Sequence, residues 1–254
     1  MVRTVKRFGW VRDLPDFRDY EYVPSAHAIA AGISGAIATN LQAGMPEIWD
    51  QIDEGSCVSH GDLACHMFAL IKEGLPYFMP SRNFEYYNAR LIEGTTGYDS
   101  GAQVRDGMKA LAKYGVCPET EWPYKDSDML KKPTAKCYTD ALKNVATRYM
   151  SVARNSLLAC LAEGFPFAFG FTVYDSFMSD QVAQTGIVPM PQKGEGVQGG
   201  HCGACCGNDP VKQYYLCRNS WGTGWGIGGY FWMPYAYINN AKLSSDFWTI
   251  RVVK

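Results

Sequence analysis

Hydrophobic positions follow two different periods along this chain, and the change comes near residue 150. From Cys57 onward, Leu63, Met67, Leu70 and Ile71 fall at i, i+4, i+7 and i+8, the spacing of one helix face, and Gly74 can end the run. Ser56 stands where an N-cap belongs. A second helix is expected after Ser81, with Phe84, Tyr87 and Leu91 on one face and Gly94 at its end. A third is bracketed by Ala102 and Gly115, with Val104, Met108 and Leu111 in register. Residues 45–150 therefore read as mainly helical.

After a short helix near Asn155 to Glu163, the period shortens. The run from Phe165 to Tyr174 has strand composition, as do 201–206, 213–218, 229–233 and 247–253. Helices first and strands second imply a segregated α+β architecture. Ahead of both, Ser25 to Thr39 is rich in Ala, Gly and Ile and reads as a loose arm or short helix. The segment Gly9 to Asp16 is aromatic, charged and Pro-containing, so it is expected to be extended.

Composition narrows the function classes. At 254 residues there is room for one large domain or two packed lobes. A net charge of −1 with no Lys/Arg-rich run gives no electrostatic footprint for nucleic acid. No apolar run approaches the roughly 20 residues that span a bilayer. The basic start, Met1 to Arg7, leads into a segment too polar for a signal-peptide core, so a cytoplasmic location is expected, with a phage particle or non-classical export as alternatives.

Two segments about 140 residues apart carry the candidate chemistry. The first runs from Asp50 and Gln51 to Gly55, Ser56 and Cys57. The second runs from Gly199, Gly200 and His201 to Arg218, Asn219, Ser220 and Trp221, and on through Gly224, Trp225 and Gly226. A cysteine opening a helix sits at the positive end of the helix dipole, which favours thiolate over thiol. The base is sought among four histidines. His27 lies in the small-residue arm, and His66 is nine residues along the helix from Cys57. His60 is one turn after Cys57 but is held beside the thiol by the helix backbone; His201, opening a strand after two glycines, is favoured over it.

In this order, Gln51, Cys57, His201 and Asn219 resemble the papain family of cysteine peptidases, and most closely its short bacterial and phage-type members. The resemblance covers most of residues 45–254 and is weakest between about 125 and 195. Its most specific part is the block from Asn219 through Trp221 to Gly229, Tyr230 and Phe231. The resemblance implies a helical lobe facing a β-rich lobe, with the site in the cleft between. It implies Cys57 as nucleophile, His201 as acid and base, and Asn219 as the group orienting the imidazole under Trp221. Gln51, six residues before Cys57, would stabilise an oxyanion together with the Cys57 N–H. The loop from Asp99 to Ala102 resembles the family's substrate-pairing loop, which makes Gly101 a substrate-binding candidate. A pocket bordered by Gly200 and Cys202 should prefer apolar side chains, and Trp221 completes the candidate substrate contacts.

The chain departs from the family in three places. Ile52 stands where glycine is usual, Val58 where tryptophan is common, and Glu54 where secreted relatives have a disulfide cysteine. The missing bridge agrees with a reducing compartment. Cys202, Cys205 and Cys206 form no second Cys-x-x-Cys pair with the remaining cysteines, so they read as buried core thiols and no metal or cofactor is expected.

The expected organisation is an N-terminal arm (1–40), a helical lobe with the nucleophile (41–150) and a β-rich lobe with the histidine and asparagine (151–254). The arm is either a short propeptide that limits access to the cleft or a strap packed away from it. The expected activity is hydrolysis of peptide or protein substrates by a monomeric endopeptidase. Two other readings stay open: a catalytically silent binding or structural module, and an amidase or transpeptidase using the same residues.

Overall fold

Helices dominate the first half of the chain and strands the second, in keeping with the two hydrophobic periods. The computed structural model describes residues 7–34 and 37–254. In chain order the elements are β1 (Trp10–Val11), α1 (Ala26–Ser34), β2 (Thr39–Asn40), α2 (Cys57–Lys72), α3 (Arg82–Glu93), β3 (Ala102–Gln103), α4 (Val104–Tyr114), α5 (Ala135–Ala141), β4 (Ala146–Ser151), α6 (Leu157–Ala162), β5 (Phe167–Tyr174), α7 (Asp180–Thr185), β6 (Val197–Asp209), β7 (Tyr214–Arg218), β8 (Tyr230–Pro234), α8 (Tyr235–Ile238) and β9 (Ser244–Val253).

The three expected long helices form, each for a local reason. Ser81 Oγ accepts the Phe84 N–H at 3.1 Å to start α3, and Gly94 closes it in the left-handed region. Ser56 occupies the N-cap position of α2, but its side chain makes no cap hydrogen bond; its hydroxyl pairs with Tyr124 Oη at 2.7 Å instead. Nearly all of α2 is buried, because α3 and α4 flank it and strands β5, β6 and β9 lie beneath it.

The sheet has seven strands in the order β4-β9-β5-β6-β7-β8, with β2 pairing the far half of β6. Strand β5 explains how a helix comes so close to it. Phe167, Phe169 and Phe171 face a core formed within the β-rich half, while Ala168 faces the core that contains α2. Strand β6 alternates likewise: Cys202, Ala204 and Cys206 join the α2 core, and Cys205 the other. A Cβ added at Gly61 of α2 would lie 2.9 Å from Cys202 Sγ, so the helix and β6 are in direct contact here. That contact brings the start of α2 beside His201.

Sequence periodicity missed β4. Its burial along Ala146–Ser151 does not alternate cleanly, and its register with β9 shifts twice, so the period-2 signal is blurred. The helical reading of 45–150 thus stops short at its C-terminal end, and α5 and β6 were also longer or additional to what periodicity showed. Among the described residues, no helix is long and apolar enough to cross a membrane.

Burial raises several carboxyls. Asp62 on α2 and Glu85 on α3 are both fully covered, and burial raises both above the usual carboxylate range. Glu54 and Glu93 are each pushed up to about 7, chiefly by burial. A carboxyl whose pKa is raised on folding stabilises the fold fully below its unfolded value, near 4, and loses that contribution as pH rises through the folded value. Melting temperature should therefore fall between pH 4 and about 7, by roughly 5 °C for each 2 kcal/mol lost. A thermal melt series checks this, and Glu85→Gln should flatten the slope.

Candidate active site

Cys57 opens α2 at the point where that helix meets β6. Its sulfur faces the backbone N–H groups of Cys202 and Gly9 and is completely covered. Burial outweighs those donors and pushes the thiol up to about 12. The covered site thus opposes the thiolate that the helix dipole favours.

His201 lies on β6 with its ring enclosed. Asn219 Oδ1 accepts from His201 Nε2 at 2.8 Å and from the Ser220 N–H at 2.8 Å. The second bond identifies the carboxamide oxygen as the atom facing the ring, so Nε2 carries the hydrogen and Nδ1 is the basic nitrogen. The Trp221 indole lies over the imidazole with centroids 4.8 Å apart, and Phe171 abuts it edge-on at 5.4 Å. The His201–Asn219 bond is thus shielded from water.

Gln51 is fully buried in the loop before α2. Its carboxamide oxygen accepts from Ser220 Oγ at 2.7 Å and Trp221 Nε1 at 3.2 Å, and its nitrogen donates to Glu54 O at 2.8 Å. With the oxygen held by two donors, the nitrogen end is fixed on the side of Gly55, Ser56 and Cys57. The loop is stitched to the Asn219 turn: the Gln51 N–H donates to Ser220 O at 2.8 Å, and the Gly222 N–H to Trp49 O at 3.1 Å. Arg218 reaches from β7 to Pro46 O at 2.7 Å and stacks over Trp49. Ile52 keeps the glycine conformation expected there, with φ of 51°, strain that a β-branched residue adopts rarely.

Of the other histidines, His60 is engaged elsewhere. Its Nδ1 meets Ser56 O at 3.0 Å, its ring packs between Trp49 and Tyr124, and burial drives its pKa well below the usual value. His60 is buried under the Gln51 loop rather than lying at the helix surface. His66 is also buried, and its pKa falls to about 4.

The N-terminal segment occupies the space over these groups. The Phe8 ring meets His201 and Trp221 with centroids at 6.3 and 6.5 Å. Gly9 O accepts the Ala102 N–H at 2.8 Å, and β1 continues as a parallel partner of β3, with Trp10 opposite Ala102. The candidate loop is therefore engaged: Gly101, with φ of 73°, packs so closely that an added Cβ would sit 2.2 Å from Gly9 O. Trp10 lies across Gly170 and Gly200, and its indole donates to Asp246 Oδ2 at 2.9 Å. Cys202 lies beneath Gly61 of α2, so Gly200 rather than Cys202 meets the Trp10 ring.

Residues outside the two motifs also shape the site. Tyr124 Oη donates to Gln51 O at 2.8 Å while pairing with Ser56 Oγ, and an Asp99 carboxylate oxygen accepts the Gly55 N–H at 3.1 Å. Arg82 holds Glu119 at 2.7 Å and covers the Tyr124 ring. No spacing marked Tyr124 or Asp99 for this role. Ser220 lay inside the recognised block, but its bond to Gln51 depends on a partner 169 positions away.

A family model described as papain family cysteine protease matches residues 89–249. The chain is 35% identical to a peptidase C1-like protein of Acanthamoeba polyphaga mimivirus, over 98% of this chain and 88% of that one. It is 28% identical to cysteine proteinase 2 of Entamoeba histolytica over 72% of this chain and 58% of that protein. Among solved structures, xylellain, a cysteine protease from Xylella fastidiosa, superposes with a TM-score of 0.91 at 41% identity, covering 100% of this chain and 99% of that one. A procathepsin L 3 from the Tenebrio molitor larval midgut shares the fold, with a TM-score of 0.70 at 20% identity, covering 92% of this chain and 74% of that one.

Proposed function

Because this chain belongs to the papain family of cysteine proteases, we propose that it is an endopeptidase working through a thioester on Cys57, with His201 as acid and base. The observation that carries this reading is the His201–Asn219 hydrogen bond, roofed by Trp221 where α2 presents Cys57.

The steps follow from the groups. The Cys57 proton passes to His201 Nδ1, and the sulfur attacks the peptide carbonyl carbon. The carbonyl oxygen becomes an oxyanion that accepts from the Gln51 carboxamide and the Cys57 backbone N–H. His201 then gives its proton to the leaving amine as the C–N bond breaks. A water, losing its proton to His201, attacks the thioester and releases the acid and the Cys57 thiol. Removing one oxyanion donor costs about 10²- to 10³-fold in kcat in comparable sites. Gln51→Ala should lower kcat by about that factor, with little change in KM, in a fluorogenic peptide assay. An unchanged kcat would remove Gln51 from the reaction.

We further read residues 7–11 as a built-in inhibitor, with 41–150 and 151–254 as the two lobes that it spans. Phe8 packs against His201 and Trp221, and the Gly9 N–H lies on the Cys57 side of the segment, so the segment covers the site. Trp10 marks where a substrate side chain would lie. The slot has Gly170 and Gly200 as walls and the Asp246 carboxyl as a hydrogen-bond acceptor. That favours a large side chain, apolar along its body with a donor at its end, which refines the apolar preference expected from Gly200 and Cys202.

A further inference from the structure

We propose that Cys117, Glu121 and Cys137 form a binding site for a thiophilic divalent cation, zinc being the biological ion whose chemistry fits. The site is separate from Cys57. It lies in a small core of its own beneath Phe84 and Ala141, between the segment after α4 and helix α5.

Among the described residues, this is a group of three potential ligands whose donor atoms all lie within 4.8 Å of one another. Both cysteines are buried and free of disulfides. Glu121 Oε1 is held by Lys136 Nζ at 2.6 Å, while its Oε2 is buried and has no hydrogen-bond partner. The free carboxylate oxygen and the two thiols thus form a donor set that a cation could satisfy. Zinc takes thiolate sulfur at about 2.3 Å and carboxylate oxygen at about 2.1 Å, so tetrahedral ligand atoms lie about 3.5 Å apart. The group needs only a contraction of about 1 Å to reach that geometry. Thr134 orients one ligand: its Oγ1 lies 3.1 Å from Cys137 Sγ and caps α5 through the Cys137 N–H. A water would complete a four-coordinate site.

Binding exchanges two S–H bonds for two Zn–S bonds and releases two protons to solvent, with no change of oxidation state. Two thiolates, one carboxylate and the dication sum to −1, which the Lys136 ammonium on Glu121 offsets. Thiolate ligands must give up their protons, so uptake should weaken toward acid pH.

The consequence is mechanical. Cys117 O accepts the Ser81 N–H at 2.9 Å, Glu119 holds Arg82, and Tyr124 supports Gln51. An ion joining this segment to α5 would brace the support of the Gln51 loop from behind.

The test uses the full chain carrying Cys57→Ala, so that the active-site thiol does not compete for metal. Zinc is counted by elemental analysis after dialysis, and cadmium is added to read thiolate-to-metal absorption. The proposal expects one ion per chain, a higher melting temperature with zinc, and loss of both signals in Cys117→Ser and Cys137→Ser. Glu121→Gln, which keeps both thiols, should weaken uptake about 10-fold or more and serves if the cysteine variants fail to fold. No stoichiometric uptake overturns the proposal, as does uptake that Glu121→Gln and the cysteine variants leave unchanged. A mass short by two hydrogens with a Cys117–Cys137 cross-link also overturns it, making the pair a disulfide.

Discussion

Alanine at Cys57 or at His201 is expected to lower kcat/KM for a peptide amide by about 10⁴-fold or more. The size follows from the chemistry. Without the sulfur no acyl-enzyme forms, and without the imidazole no base takes the thiol proton and no acid protonates the leaving amine. The two groups act as a unit, so the double variant should be hardly worse than either single one. Cys57→Ala removes only one sulfur and should leave stability nearly unchanged, whereas His201→Ala also empties a buried ring site and should lower the melting temperature. Steady-state kinetics with a fluorogenic peptide checks this, beside the same substitution at His60. His60→Ala should leave the pH dependence of kcat/KM unchanged, since its ring is buried and Nδ1 is taken by Ser56 O.

The second large effect concerns the N-terminal segment. Gly9→Ala should raise the rate at which Cys57 reacts by about 10- to 100-fold. A Cβ at this position would lie 1.6 Å from Gly55 O, a backbone atom that cannot turn aside. Overpacking of this kind costs about 1–3 kcal/mol, and each 1.4 kcal/mol spent against the covered state shifts its population about tenfold. The rest of the arm is held independently. Trp10 bonds Asp246, Asp13 accepts from Trp248 at 2.7 Å, and Tyr22 pairs with Ser151 at the sheet edge. The substitution should therefore lift the segment off the sulfur without unfolding the chain. Pseudo-first-order alkylation of wild type and Gly9→Ala measures it. Equal rates in the two proteins would mean that the arm is a strap and not an inhibitor.

How much of this was legible beforehand depended on whether an interaction was local. Helices α2, α3 and α4 announced themselves because their apolar positions, Ser81 and the closing glycines lie within a few residues of one another. Strand β4 did not, because its identity comes from β9, a hundred residues on, and its burial pattern lacks a clean alternation. At the site, Gln51, His201 and Asn219 were expected from motifs that resemble the papain family, and the structure brings Gln51 and the Asn219 turn together through Ser220 and Trp221. Tyr124, Asp99 and Arg218 could not be read, since each acts through a partner far along the chain. Ile52 looked like a departure that could reshape the loop. The backbone keeps the left-handed turn anyway, because Asp50 and the surrounding bonds fix it. Cys117 and Cys137 carry no Cys-x-x-Cys signature, because they lie twenty positions apart and meet across a loop.

The central claim is that Cys57 is the nucleophile and His201 the group that activates it. Its most direct test is alkylation by an epoxide of the kind that labels papain-like thiols, on the Gly9→Ala background, with the adduct located by mass spectrometry. The account predicts one adduct, on Cys57, lost in Cys57→Ala and strongly slowed in His201→Ala. No adduct at Cys57, or labelling there at an undiminished rate in His201→Ala, would contradict it.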